Sequence, residues 1–122
     1  MNTETIIVSA LDLKKSETVL PEKKLENLSH CLYRFIRKRY NGVYDSGGIS
    51  RYRFDMFFKE TCYNSFFCAT NIIDDEDICL CILKNACIRA VIKSECDIEK
   101  LPRIFKIIFW NLCNSYCKES SG

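Results

Sequence analysis

The chain has 122 residues, the length of one domain, and 48% of them are apolar, which excludes a disordered tail. A formal net charge of +2 singles out no class of partner. No apolar run is long enough to cross a bilayer, and none near the start resembles a cleaved secretory signal, so no transmembrane anchor is expected.

In chain order, residues 3–13 are open to two readings. Ile6, Ala10 and Leu13 would share a helix face, whereas Ile6, Ile7 and Val8 also suit a strand. The short helix is preferred, followed by a polar linker at 14–18. Pro21 opens the next helix, because its missing N–H is harmless in a first turn. Leu25, Leu28, Leu32 and Phe35 follow at helical spacing, joined by Ile36 and Tyr40, with Arg34, Arg37 and Lys38 on the other face. Asn41-Gly42 supplies a left-handed cap, and Ser46-Gly47-Gly48 a turn.

Ser50 caps a helix expected over 51–62, which carries Tyr52, Phe54, Met56, Phe57 and Phe58. Asn64-Ser65 is expected to interrupt it before a short apolar segment at 66–73. Then come Asp74, Asp75, Glu76 and Asp77, four carboxylates suited to the positive end of a helix dipole.

Residues 78–92 form the most apolar stretch, broken only by Lys84, Asn85 and Arg89. A helix apolar nearly all round is buried on all sides. At about 1.5 Å per residue it spans roughly 22 Å, too short for a bilayer. The stretch therefore predicts a central core helix wrapped by the others. Two buried strands are the alternative, disfavoured because no turn residue divides the run. A turn at 94–97 precedes a last helix expected over 98–117, with Pro102 in its first turn. Leu101, Ile104, Phe105, Ile108, Leu112 and Tyr116 give its apolar face, widened by Ile107, Phe109 and Trp110. A polar tail is expected from 118. The fold class is all-α: one domain over 1–122, a helical bundle around a buried central helix.

Nine cysteines are an odd number, and several sit inside apolar helical patterns. They read as reduced thiols serving as small hydrophobes in a reducing compartment. No Cys-x-x-Cys pair exists and His30 is the single histidine, so no metal or other cofactor is expected. Neither a glycine-rich phosphate loop nor a nucleophile elbow is present, and an enzyme is not expected. Arg34, Arg37, Lys38, Arg39, Arg51 and Arg53 fall within twenty residues against one acid, Asp45. They could meet phosphates. The simpler reading is a solvated helix face, and nucleic acid is not expected as a partner.

The C-terminal half resembles the Bcl-2 family of apoptosis regulators. Residues 78–88 resemble the family's central fifth helix and 101–116 its sixth; Arg53-Phe54 with Met56, Phe57 and Phe58 resembles the third-to-fourth helix region. The family's Asn-Trp-Gly-Arg signature is replaced by Asp74, Asp75, Glu76 and Asp77, so the arginine that meets a ligand aspartate is missing. Small size, eroded motifs and no anchor resemble viral members, of the kind carried by large DNA viruses such as a fish iridovirus.

The resemblance implies a pro-survival protein of the host cytoplasm, peripheral at mitochondria through its partners. It would hold the BH3 helix of a pro-death protein, Bim first and then Bak or Bax, in an apolar groove. Tyr40, Tyr44, Phe54, Phe57, Phe58, Phe66, Phe67 and Ile78 would line that groove, though such rings fill a core equally well. Arg53 or Arg51 would replace the lost arginine, ahead of Arg89, and a homodimer is open. The alternative is a Bcl-2-fold immune-evasion protein that binds signalling adaptors instead of BH3 motifs.

Overall fold

Leu25, Leu32, Tyr33 and Ile36 recur on one face of a helix, and that face is buried along α1, Pro21–Tyr40. The computed structural model describes residues 20–40 and 49–121, and every regular element among them is helical. The readings of 3–13, 14–18, Asn41-Gly42 and Ser46-Gly47-Gly48, and the groove residue Tyr44, lie outside the described residues, as does the side chain of Tyr40. Phe35, assigned above to the apolar face, is exposed; Tyr33 and Ile36 take the core positions beside it.

Ser50 starts the next rod as expected. Its backbone is extended, with φ −67° and ψ 155°, and its hydroxyl accepts the Arg53 N–H at 3.2 Å. The rod runs unbroken through α2, Arg51–Phe57, a π-helical segment, Phe58–Cys62, and α3, Tyr63–Ala69. The interruption expected at Asn64-Ser65 is absent. Ser65 is buried within the helix, and Asn64 is satisfied by donating from Nδ2 to the Glu60 carbonyl at 2.9 Å. The irregularity falls earlier, where the Tyr63 N–H bonds to the Phe58 carbonyl. An i→i+5 bond puts an extra residue into one turn and slips the apolar stripe back into line. Phe54, Phe57, Phe58, Cys62, Phe66 and Ala69 thereby all stay in the core.

Asp75 caps α4, Glu76–Ser94, by accepting the N–H groups of Asp77 at 2.9 Å and Ile78 at 3.3 Å. Its neighbour Glu76 receives Lys24 of α1 at 2.7 Å, tying the two helix starts together. Both partners are about a third exposed, so the pair contributes at most about 1 kcal/mol. Cys79, Ile82, Leu83, Ala86, Cys87, Ala90, Val91 and Ser94 of α4 are buried. The helix is central, packing against α1, α3 and α5. The described helices do not enclose it on all sides. Cys81, Lys84, Asn85, Arg89 and Ile92 form an exposed strip, wider than the sequence suggests, because the described helices cover only the remaining faces.

α4 ends in two consecutive left-handed residues, Glu95 (φ 54°) and Cys96 (φ 61°). The Cys96 N–H reaches the Val91 carbonyl at 3.2 Å, the long bond of a Schellman-type end, without the usual glycine. Asp97 then starts the return. Its carboxylate accepts the Glu99 N–H at 2.9 Å, and its carbonyl accepts those of Lys100 and Leu101 at 3.1 Å. Those bonds make residues 98–100 a turn, so α5 runs from Leu101 to Ser121, starting later and ending later than expected. The tail expected from 118 is helical as far as Ser121.

The centre of the buried stripe on α5 is Leu101, Phe105, Phe109 and Cys113, four residues apart. Ile104, Ile108 and Leu112 flank it half-buried, and Ile107 is 57% exposed. Rings join the helices in a chain. Tyr33 meets Phe54 at 5.6 Å, Phe54 meets Phe57 at 6.0 Å, and Phe57 meets Phe105 edge-on at 5.6 Å. Phe105 stacks on Phe109 at 5.4 Å, and Phe109 meets Trp110 at 5.1 Å. Each such pair adds about 0.5–1.5 kcal/mol beyond area burial.

Two stability measurements follow from this packing. In urea titrations, Phe105→Ala should cost about 3–5 kcal/mol and Leu83→Ala about 2–5 kcal/mol, whereas exposed Ile107→Ala should stay within about 0.5 kcal/mol. Glycine at either left-handed position should raise stability by about 1 kcal/mol, since a side chain in that conformation costs roughly 1–2 kcal/mol; an unchanged midpoint for both Glu95→Gly and Cys96→Gly would remove strain from that turn.

Candidate functional site

The edge of α4 left uncovered and the outer side of α5 enclose a cleft of about 420 Å³. Ile104, Ile108 and Leu112 line it at intervals of four residues, about 6 Å apart along the helix axis, with exposed Ile107 beside them. Asn111 lies among them, and Arg89 and Lys93, one turn apart on α4, form the opposite rim. Among the described residues no carboxylate pairs with either cation. The cleft is therefore apolar with an uncompensated positive edge.

A smaller cleft of about 330 Å³ lies between Arg53, Met56, Phe57 and Glu60 of the rod and Ile98, Glu99 and Pro102 at the start of α5. Two carboxylates share it with one cation, so it is poorly matched to an acidic ligand.

Of the eight residues assigned to a groove, the six whose side chains are described scatter. Phe54, Phe57, Phe58 and Phe66 are in the core, where their rings hold the rod to α1 and α5. Phe67 is exposed and packs edge-on against Phe66 at 5.2 Å, while Ile78 is half-buried against the core. Arg53 is exposed at the smaller cleft. Arg51 is engaged: its Nε faces the Asp55 carboxylate at 3.1 Å, its Nη2 donates to His30 Nδ1, and its guanidinium lies 5.1 Å from the centre of the Tyr33 ring. Asp77 is exposed, and its N–H is held by Asp75. Arg89 comes last among the candidate partners expected from the sequence. The signal that could have raised it is Arg89 with Lys93, an i, i+4 cation pair at the edge of an apolar helix.

No family model matches this chain, and no curated protein or solved structure does either. Among the described residues no helix is long and apolar enough to cross a membrane, and no three or more His, Cys, Asp or Glu side chains are grouped so as to hold a metal ion.

All nine cysteines are free thiols. Cys31, Cys68 and Cys81 are exposed; Cys62, Cys79, Cys87 and Cys113 are buried. Burial pushes the Cys113 thiol up to about 11, with smaller contributions from Cys79 and Cys117 nearby. It also raises Cys79 and Cys96, and it raises Cys62 strongly, where a hydrogen bond with Cys87 adds to the effect. The thiolate is the reactive form, so these four react slowly at neutral pH. In the folded protein a short iodoacetamide pulse should therefore label Cys31, Cys68 and Cys81 first by mass spectrometry. The same shifts fix a direction with pH. The unfolded chain releases these protons near 9.0 and the folded one higher, so this stability is whole below 9.0 and is lost as pH rises toward about 11. The urea midpoint should fall over that window, and Cys113→Ala should make the fall shallower.

Proposed function

We propose that the protein is a binding module of Bcl-2-like architecture that holds an amphipathic helix of a partner. The observation that carries this reading is the cleft between α4 and α5, with its row of isoleucine and leucine side chains facing two cations that no carboxylate pairs with among the described residues. A helical ligand presents apolar anchors at i, i+3, i+4 and i+7. The spacing of Ile104, Ile108 and Leu112 suits such anchors, and Arg89 and Lys93 suit a carboxylate on the ligand's flank. BH3 helices combine those two features, so a pro-survival role, sequestering Bim first and then Bak or Bax, is the biological form of this reading. Arg89 then takes the part of the arginine that the α4 start lacks. Arg51 suits it less, because Asp55 and His30 already occupy its guanidinium. Arg53 suits it less because Glu60 and Glu99 stand beside it.

Calorimetry with a Bim BH3 peptide tests this. We expect Arg89→Ala to weaken binding more than tenfold, Ile107→Asp to abolish it, and Arg53→Ala to change it little. All three side chains are exposed, so melting curves should be nearly unchanged. A loss with Arg53→Ala and none with Arg89→Ala would move the ligand to the smaller cleft. Absence of binding to any BH3 peptide would end the pro-survival reading in favour of adaptor binding.

A further inference from the structure

The third large concavity, about 420 Å³, is not apolar. It is lined by His30, Tyr33, Arg34 and Arg37 of α1 and by Arg51 of α2. His30, Arg34 and Arg37 are spaced i, i+4 and i+7, so they form one stripe down α1. A helix C-terminus favours cations in its last turn, which accounts for Arg37. It does not account for Arg51. That residue opens a helical rod, at the positive end of its dipole, where a cation is disfavoured.

Arg51 is nevertheless fixed there from three sides. The Asp55 carboxylate holds its Nε, His30 Nδ1 accepts from its Nη2, and the Tyr33 ring lies 5.1 Å away. Tyr33 is itself buried, and its hydroxyl donates to the Ile49 carbonyl at 3.2 Å, so the ring is a rigid wall. Arg34 and Arg37 have no carboxylate partner among the described residues. Three guanidinium groups thus meet in one concavity against a single carboxylate, which touches only one of them.

From this convergence we propose that the concavity between α1 and the start of α2 binds a small polyphosphate anion through Arg34, Arg37 and Arg51. Guanidinium groups bind phosphate oxygens in pairs, and three of them match a chain of phosphates better than a single one. The volume falls in the range of small-molecule sites, about 300–1,000 Å³. A local site rather than a nucleic-acid surface fits the modest net charge of +2. The site is separate from the α4–α5 cleft and does not depend on the reading of that cleft.

The polyphosphate could be free or part of a nucleotide, and one experiment separates the two. Full-length protein is titrated by calorimetry with inorganic tripolyphosphate, with ATP and with a short DNA duplex, at fixed salt. We expect saturable one-to-one binding of tripolyphosphate, weakened at least tenfold by Arg34→Ala and by Arg37→Ala and unchanged by Lys106→Ala. Equal affinities for tripolyphosphate and ATP assign a free polyphosphate; tighter binding of ATP assigns a nucleotide. Arg34 and Arg37 are exposed and have no carboxylate partner among the described residues, so melting curves of their variants should match the parent and exclude misfolding as the cause. Non-saturable binding, an equal loss with Lys106→Ala, or tighter binding of the duplex than of tripolyphosphate would each overturn the proposal.

Discussion

The fold depends on a difference in size between the central helix and its neighbours. α4 brings small side chains to its buried faces, Cys79, Ala86, Cys87, Ala90 and Ser94, with only Ile82, Leu83 and Val91 larger. The rings come from elsewhere: Phe54, Phe57, Phe58 and Phe66 from the rod and Phe105 and Phe109 from α5. A close-packed interior leaves no room for large side chains on both sides of one contact. The high aromatic content and the high cysteine content are thus two halves of one packing solution. Four of the nine thiols fill volume in the core, and burial raises the pKa of three of them, Cys62, Cys79 and Cys113.

The same size rule decides which apolar residues are left over. The core stripe of α5 follows Leu101, Phe105, Phe109 and Cys113, so Ile104, Ile108 and Leu112 are pushed to its flank and Ile107 beyond it. α4 loses Ile92 to its surface in the same way, at 45% exposure. What remains is a row of branched aliphatic side chains along the seam of two helices, facing Arg89 and Lys93. The charges divide with similar economy. At the start of α4 the acids are used, Asp75 as a cap and Glu76 as the partner of Lys24, while most cations at the two 420 Å³ concavities have no carboxylate partner among the described residues.

Much of the fold was legible because it rests on local rules. Ser50 and the Pro21 start were readable from capping preferences, and the central and last helices from apolar periodicity. The π-helical segment was not, because its cause is the need to keep Phe54 and Ala69 on one side, which is a tertiary demand. The groove residues were the least legible. Phe54, Phe57, Phe58 and Phe66 are spaced as a ligand-binding stripe would be, and periodicity cannot tell a ring that faces a ligand from one that faces another helix. The apolar cleft instead uses residues at the margin of a stripe, such as Ile104 and Ile107, which periodicity assigns to the core.

The wide turn at Phe58–Cys62 has a consequence for how this chain can change. One residue of helix corresponds to about 100° of rotation. Deleting a single residue there would let the rod relax into an ordinary α-helix, with every hydrogen bond remade. α3 would keep its facing, because the wide turn is what absorbs the extra residue; straightening the turn with its residue count unchanged is what would swing α3 round by that angle, carrying Phe66 and Ala69 away from the core. At exposed Lys59 and Glu60, therefore, many side chains are acceptable, and the loss of one residue leaves the core contacts of α3 in place, whereas a further inserted residue does not. The facing of α3, more than the exact length of the turn, is what this point of the chain has to preserve.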